Sequence, residues 1–166
     1  MEPETAPAEV WRPDVTVATV VERNGSYLFV EERVRGALVV NQPAGHLEPD
    51  ESLVQAAVRE TLEETAWEVE LTGLVAVYQW MNPADQGQVL RFTFAAVPLR
   101  QRPGQALDQG IVRALWLTPE ELRAGNFPPR SPLVWKSIED HAQRRPLPLD
   151  ALCSVEPAAS PNGVPA

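Results

Sequence analysis

The sequence is short of cysteine, of positive charge and of long apolar runs, and each shortage excludes a class of protein. Among its 166 residues the only cysteine is Cys153, so an internal disulfide and a zinc site built from several cysteines are excluded. No apolar run approaches the roughly 20 residues of a membrane-spanning helix. The acidic start, MEPETAPAEV, lacks the basic and apolar regions of a signal peptide. We therefore predict a cytoplasmic protein with no membrane partner.

Positive charge is outnumbered, with 14 Lys and Arg against 23 Asp and Glu, a net charge of -9 and a pI near 4.7. A surface of this sign repels the phosphate backbone, so we expect no nucleic-acid polymer as a partner. A small anionic molecule remains a possible ligand where a metal cation bridges it to the protein. The sequence also lacks the G-x-S-x-G elbow of a serine nucleophile.

Composition divides the chain into one domain and two tails. Residues 1–12 and 146–166 are rich in Pro, Ala and small polar residues without sustained periodicity, so we predict that both are flexible. Residues 13–145 form a single domain, since the chain is 44% hydrophobic and is too short for two independent cores.

Strand-like and helical patterns interleave within this domain. VTVATVVE and SYLFVEE, joined at RNG, predict a hairpin, and EVELTGLVAVYQW and QVLRFTFAAVPL predict a second one around MNPADQG. ALVVNQ and IVRALWL predict two more strands. A helix is expected from a cap at Asp50 or Ser52 to about Thr65, a short helix after Thr118 and a second longer helix after Ser131. This order predicts the α+β class, with a mixed sheet covered by helices on both faces.

The first helix gathers three glutamates at its C-terminal end. Glu60, Glu63 and Glu64 are spaced i, i+3 and i+4, so their carboxylates are neighbours that repel one another. The negative end of the helix dipole disfavours them as well. A solvated helix face normally intersperses basic residues, yet residues 46 to 72 hold eight acidic residues and one basic one, Arg59. Clustered carboxylates suit Mg²⁺, or Mn²⁺ in its place, and such a cation also accepts phosphate oxygens.

This segment resembles the Nudix box, the signature of hydrolases that act on nucleoside diphosphates linked to another moiety. The matching positions, at fixed intervals, are Gly45, Glu51, Arg59, Glu60, Glu63 and Glu64. The longer phrase NQPAGHLEPDESLVQAAVRETLEETA, together with YQW, LRFTFA, LWLTPEEL and SPLV, extends the resemblance over roughly residues 13–140. The resemblance implies the Nudix fold, an α/β/α sandwich with a central mixed β-sheet.

The resemblance also implies roles for the matched residues. Glu60, Glu63 and Glu64 would hold one or more Mg²⁺, with the backbone carbonyl of Ala44 as a further ligand. Arg59 would orient the carboxylates of the box, Glu51 above all, without touching substrate.

The general base is left open at this point. Glu64 and then Glu60 are the candidates for taking a proton from the attacking water. An acid outside the box, such as Asp85 or Asp108, is the alternative, because Nudix enzymes differ in where this base lies.

Substrate contacts are predicted outside the box. Arg91, in VLRFTF, is either a phosphate contact or a member of a surface ion pair. Tyr78 and Trp80 alternate on YQW and so point to one side, where they either stack on a flat ring or pack in the core. His46 bonds either a phosphate or its own backbone and water.

Two positions depart from the Nudix pattern. Ala66 stands where the box has glycine, and an alanine forced to positive φ there costs about 1 kcal/mol. Thr61 replaces an aliphatic residue but is β-branched and still packs. Neither departure removes a carboxylate.

The activity implied is that of a Mg²⁺-dependent hydrolase with a small-molecule pyrophosphate substrate. The phosphoanhydride bonds cleaved would be those of nucleoside di- and triphosphates or of thiamine-pathway pyrophosphates, including hydroxymethylpyrimidine pyrophosphate and thiamine pyrophosphate. The alternative is a non-catalytic Nudix module that binds a nucleotide. Fold and site chemistry alone do not choose the leaving group, and the oligomeric state is left open.

Overall fold

A computed structural model of the chain describes residues 11–83, 87–125 and 127–155. The elements follow in the order β1 (Asp14–Arg23), β2 (Ser26–Val34), β3 (Ala37–Asn41), β4 (Ala44–His46), α1 (Leu53–Thr65), β5 (Trp67–Met81), β6 (Gln88–Gln101), β7 (Ile111–Leu117), α2 (Pro119–Arg123), α3 (Leu133–Gln143) and a 3-10 turn (Leu149–Ala151). Every predicted strand and helix is present. The three-residue β4 was not predicted, because it shows no alternation and forms only by pairing with β1.

The sheet is organised around β1. This strand runs parallel to β6, from Asp14 opposite Val89 to Val21 opposite Ala96, and antiparallel to β2 and β4. The strand order is β3-β2-β1-β6-β5, with β7 beside β2 and β4 beside β1. Parallel and antiparallel pairs therefore coexist, which confirms the predicted mixed sheet.

Helices cover both faces of this sheet. Residues 16–21 of β1 are all buried, so the strand needs a packed layer on each side. On one face Ala56 and Ala57 of α1 pack in a cluster with Val17 and Phe94. On the other face α3 contributes to a second cluster, whose members include Val20, Phe29, Val134 and Ile138. The α/β/α arrangement and the α+β class are confirmed.

The start of α1 is fixed by a capping box. The Ser52 hydroxyl accepts the Gln55 N–H at 3.2 Å, and the Gln55 side chain accepts the Ser52 N–H at 2.8 Å. Asp50, the alternative cap, instead occupies a turn with φ 65°. The first residue of the helix is therefore fixed by Ser52.

The end of α1 is closed by the loop between β6 and β7. Carbonyls in the last turn of a helix lack partners within it. Here the carbonyl of Leu62 accepts the Gln105 side chain at 2.9 Å and that of Glu63 accepts the Asp108 N–H at 3.1 Å. The same loop is anchored further by the Arg102 N–H, which bonds the Ala66 carbonyl at 2.8 Å. These bonds hold Asp108 beside the acidic end of the helix.

The departure at Thr61 is accommodated in the core. Thr61 is fully buried, and its hydroxyl lies 2.7 Å from that of Thr19 and donates to the Ala57 carbonyl at 2.7 Å. A buried hydroxyl is tolerated when its hydrogen bonds are made, so threonine replaces an aliphatic residue here without an unsatisfied group.

Packed structure continues past the predicted domain boundary at residue 145. Leu147 and Leu74 exchange backbone hydrogen bonds of 2.7 and 2.8 Å, and Leu149 and Leu152 pack against the cluster on the α1 face. These contacts attach residues 147–152 of the predicted tail to β5. Residues 1–10 and 156–166 lie outside the described part of the chain. Within the described residues, no helix has the length and apolar character needed to span a membrane.

Ala66 yields a stability prediction. It ends α1 with φ 59°, a left-handed conformation that costs alanine about 1 kcal/mol more than glycine. Ala66→Gly is expected to raise the free energy of unfolding by roughly 0.5–1 kcal/mol and the melting temperature by about 2–4 °C, measured by thermal and urea unfolding. The matched control is Ala124→Gly at the end of α2, where φ is -60°. An equal or smaller effect at position 66 than at position 124 would contradict this explanation.

Candidate active site

A cavity of about 740 Å³ brings together most of the predicted site residues. The carboxylates of Glu60 and Glu64 reach it from α1, and Ala44, Gly45 and His46 reach it from β4. The strands β5 and β6 and the segment before α3 contribute the residues Trp80, Arg91 and Arg130. Residues distant in the sequence thus share one solvent-accessible space.

Gly45 allows the acidic wall of this cavity to form. A Cβ atom at this position would lie 2.1 Å from the carboxyl carbon of Glu60, so the carboxylate rests directly on the strand backbone. Glu60 is 9% exposed, and its burial raises the pKa of its carboxyl. Only glycine leaves Glu60 this position.

Glu64 lies beside Glu60 on the same wall. Its Oε2 accepts the Ala44 N–H at 2.9 Å, which joins α1 to β4. Burial raises the pKa of Glu64 to about 8, and the neighbouring Glu60 acts in the same direction. Two crowded carboxylates whose charged forms are disfavoured are stabilised by a bound cation.

Arg59 connects Glu51, which precedes the helix, with Glu60 and Glu63 on the helix. Its Nε and Nη2 donate to the two carboxylate oxygens of Glu51 at 2.9 and 2.7 Å, and its Nη1 donates to Glu60 at 2.8 Å and Glu63 at 3.0 Å. Hydrogen bonding to Arg59 lowers the pKa of Glu51. The side chain also reaches the His46 carbonyl at 3.1 Å. Arg59 therefore holds carboxylates in place, and it is not among the residues lining the cavity.

Asp108 joins the acidic cluster from outside the helix. Carboxylate oxygens of Glu60, Glu63 and Asp108 lie within 4.8 Å of one another. The sequence offered Asp108 only as an alternative base, since nothing in its spacing places it beside α1. The other alternative, Asp85, lies outside the described residues.

The donor set fits a hard divalent cation. It consists of carboxylate oxygens from one helix and one loop, with Glu60 belonging both to this cluster and to the cavity wall. Mg²⁺ and Mn²⁺ prefer such oxygen ligands. The Ala44 carbonyl, predicted as a further ligand, belongs to a residue that also lines the cavity.

Arg91 is buried, so it does not form a surface ion pair. It is 9% exposed, and its Nε and Nη1 atoms have no hydrogen-bond partner among the described residues. Burial, together with the nearby charge of Arg130, lowers the pKa of Arg91 to about 10. A buried guanidinium that faces a cavity with unpaired donors is suited to bind an anion.

The two aromatic residues of YQW differ in what they contact. Trp80 lines the cavity. Tyr78 does not, because its hydroxyl donates to Asp140 of α3 at 2.9 Å and fastens that helix to β5. Of the two predicted alternatives, this bond is typical of packing, and a substrate contact by Tyr78 stays a prediction. His46 lines the cavity, and its own carbonyl is occupied by Arg59.

Several residues that line the cavity were not predicted from the sequence to belong to the site. They lie outside the Nudix box, in β1, in the turn after β2 and in the segment before α3: Asp14, Thr16, Arg35, Arg130 and Ser131. No spacing rule connects these segments, because strand pairing alone brings them to the cavity.

The contact between Gly45 and Glu60 makes a testable prediction. Gly45→Ala is expected to displace the Glu60 carboxylate and weaken divalent-cation binding by about 10- to 100-fold, measured by Mn²⁺ titration with electron paramagnetic resonance. The free energy of unfolding should change little, because the added Cβ displaces only the end of the Glu60 side chain. In a Glu60→Ala background the same substitution should have no further effect on cation affinity. A full additional loss in that background would show that Gly45 acts on something other than Glu60.

Comparison with known proteins identifies the family of the chain. The model of the NUDIX domain family matches residues 10–136. A protein of Escherichia coli named phosphatase NudJ is 42% identical over 144 residues, which cover 86% of this chain and 92% of that protein. Its counterpart in Shigella sonnei matches with the same identity and coverage.

Solved structures show the same fold. A NUDIX hydrolase from Nitrosomonas europaea superposes with a TM-score of 0.84 at 45% identity, covering 87% of this chain and 98% of that one. A MutT NUDIX hydrolase from Burkholderia pseudomallei superposes with a TM-score of 0.67 at 19% identity, covering 78% of this chain and 98% of that one. The second likeness shows the fold alone.

Proposed function

Because the chain belongs to the Nudix hydrolase family, we propose that it is a Mg²⁺-dependent enzyme that cleaves phosphoanhydride bonds of small pyrophosphate compounds. The proposed substrates are nucleoside di- and triphosphates or thiamine-pathway pyrophosphates. Support for a phosphatase comes from the relatives named phosphatase NudJ, which match almost the whole domain. We also propose a cytoplasmic location, which the sequence composition supports.

One observation carries the proposal: a single cavity is lined by groups of both charges. The residues Glu60 and Glu64 line it, and so does Arg91, whose guanidinium is buried with unpaired donors. A pyrophosphate bound together with a divalent cation presents both a cation, for the carboxylates, and free oxygens, for the guanidinium. A site that binds only a metal ion needs no guanidinium, and a site that binds only an anion needs no carboxylates.

We propose that Glu60, Glu63 and Glu64 hold the cation, with the Ala44 carbonyl as a further ligand. When bound, Mg²⁺ would neutralise charge that builds on the phosphoryl oxygens, and Mn²⁺ would serve as a substitute. Arg59 keeps Glu60 and Glu63 oriented through its hydrogen bonds.

The proton of the attacking water would pass to a carboxylate of this site. Glu64 is our first candidate and Glu60 the second, while Asp108 and Asp85 are the alternatives outside the helix. The Ala44 N–H holds one oxygen of Glu64 in place, which fixes the direction of the carboxylate. On the substrate side, Arg91 would bind phosphate and Trp80 would pack against a flat ring.

Glu64→Gln tests the assignment of the carboxylates. Because loss of a general base usually lowers turnover 10²-fold or more, the variant is expected to release phosphate at least 10²-fold more slowly with Mg²⁺ present. The assay covers nucleoside di- and triphosphates, thiamine pyrophosphate and hydroxymethylpyrimidine pyrophosphate. The control is Glu70→Gln, which changes an exposed carboxylate on β5. Turnover of Glu64→Gln within about threefold of the parent would remove Glu64 from any essential role.

The same panel separates the enzyme from the alternative, a non-catalytic nucleotide-binding module. Binding without product across the panel would favour the module. For substrates that react, product analysis in ¹⁸O-labelled water identifies the phosphorus attacked. The presence of Glu51, Glu60, Glu63 and Glu64 together favours catalysis, since a binding module has no need to keep all four carboxylates.

Metal dependence is expected to appear in stability as well as in activity. A ligand that binds only the folded state stabilises it by mass action, about 2.7 kcal/mol at 100 times its Kd. Mg²⁺ should therefore raise the melting temperature of the parent and of Glu70→Gln. It should raise that of a Glu60→Gln, Glu64→Gln double variant much less. Chelation with EDTA should abolish phosphate release, and added Mg²⁺ or Mn²⁺ should restore it. Equal increases in melting temperature in the parent and the double variant would show that the cation binds at another site.

A further inference from the structure

Arg130 lines the same cavity as Arg91. We infer that Arg130 is a second phosphate-binding residue and that it holds one phosphate group of the substrate together with Arg91. The inference rests on the proposed function, because it assigns a role within that site. Three features of the structure support it: the unpaired donors of Arg91, the fixed backbone of Arg130 and the position of Glu32.

The floor of the cavity contains buried polar atoms without partners. Arg91 is more than nine-tenths buried, and its Nε and Nη1 donors bond to nothing among the described residues. Thr16 lies opposite Arg91 in the parallel register of β1 and β6, and its buried hydroxyl also has no described partner. Unpaired buried donors cost free energy, and a ligand with several acceptor oxygens offsets this cost.

The backbone of Arg130 is fixed to the sheet. The Arg130 N–H donates to the Val40 carbonyl at 2.8 Å, and the Val40 N–H donates to the Pro128 carbonyl at 2.9 Å. These two bonds attach the segment before α3 to β3. The side chain lines the cavity and is 48% exposed. The fold therefore fixes the backbone of Arg130 and leaves part of its side chain open to solvent.

In the free protein Arg130 is held by Glu32 of β2. Its Nη1 donates to Glu32 Oε2 at 2.6 Å, while the buried Oε1 of Glu32 has no described partner. An arginine carries five N–H donors, so this bond leaves others for a ligand. The charges of Arg91 and Arg130 repel each other, while Glu32 and Glu64 attract Arg91. A phosphate with two negative charges would offset the repulsion further and supply oxygens to both side chains.

The competing explanation is an ordinary structural ion pair, and β2 supplies a matched comparison. The adjacent Glu31 accepts Arg113 Nε at 2.8 Å, with 13% of the Glu31 side chain and 58% of the Arg113 side chain exposed. Arg113 is not among the residues that line the cavity, whereas Arg130 is. Both pairs join a largely buried glutamate of β2 to a half-exposed arginine, so Arg113 is a suitable control for Arg130.

The test measures binding of imidodiphosphate, a non-hydrolysable pyrophosphate analogue, by calorimetry in the presence of Mg²⁺. Arg130→Ala is expected to raise the Kd by about 10- to 100-fold, the effect of losing hydrogen bonds from a charged group. Arg113→Ala should leave the Kd within twofold of the parent. Arg130→Lys should fall between them, because it keeps the charge but loses the fork of donors. Equal effects of Arg130→Ala and Arg113→Ala would overturn the inference.

A Glu32→Gln background separates phosphate binding from neutralisation of Glu32. If Arg130 serves only to neutralise that carboxylate, the Glu32→Gln, Arg130→Ala variant regains parental affinity, and the inference fails. If Arg130 binds phosphate, the double variant stays as weak as Arg130→Ala. Melting temperatures of all variants show whether a loss of affinity accompanies a loss of folding.

Binding and turnover distinguish this inference from the proposed function. Parental binding of imidodiphosphate that weakens in Arg130→Ala, without phosphate release from any substrate, would support the two-arginine subsite and reject the enzyme. Turnover by the parent that Arg130→Ala and Arg113→Ala both retain would support the enzyme and reject the subsite. Absence of imidodiphosphate binding at millimolar concentration by the parent would also reject the subsite.

Discussion

The structure depends on keeping several carboxylates together at the negative end of one helix. Glu60, Glu63 and Glu64 repel one another and the helix carbonyls, and these costs remain unless other groups offset them. Arg59 donates to two of the three, and the β6–β7 loop supplies N–H donors to the free carbonyls of the last turn. The arrangement is thus held from two sides before any cation binds. A divalent cation would complete the neutralisation that a single arginine provides only in part.

The same cavity also brings cationic side chains together. Arg91 and Arg130 both line it, and Glu32 accepts a hydrogen bond from Arg130. A chain with a net charge of -9 thus concentrates cationic side chains at the place where an anion would bind. Under the proposed function, the carboxylates would bind the cation and the arginines the phosphate oxygens of a metal–pyrophosphate complex. This arrangement would let a strongly acidic protein bind an acidic substrate.

The scaffold behind the cavity is stable for a separate reason. The central strand β1 is buried on both faces, and helices pack on each side of it. The tolerated departures from the Nudix pattern lie in this scaffold: Thr61 satisfies its hydroxyl within the core, and Ala66 accepts a left-handed conformation. Neither touches the cavity, so sequence variation at these positions alters stability without removing a functional group.

Local features were determined by the sequence itself. The Asn24–Gly25 turn, the Ser52 cap and the spacing of the glutamates on α1 follow from interactions between residues a few positions apart. The contact of Arg59 with Glu51, which the resemblance to the Nudix box implied, is present in the structure.

Tertiary structure alone decided the rest of the site. Tertiary packing buries Arg91 and joins Tyr78 to Asp140 by a hydrogen bond. It also places Asp108 beside Glu63 and Arg130 at the cavity. Each of these outcomes depends on which strands pair and which helix packs on which face. Such contacts join residues far apart in the chain, and no local spacing encodes them.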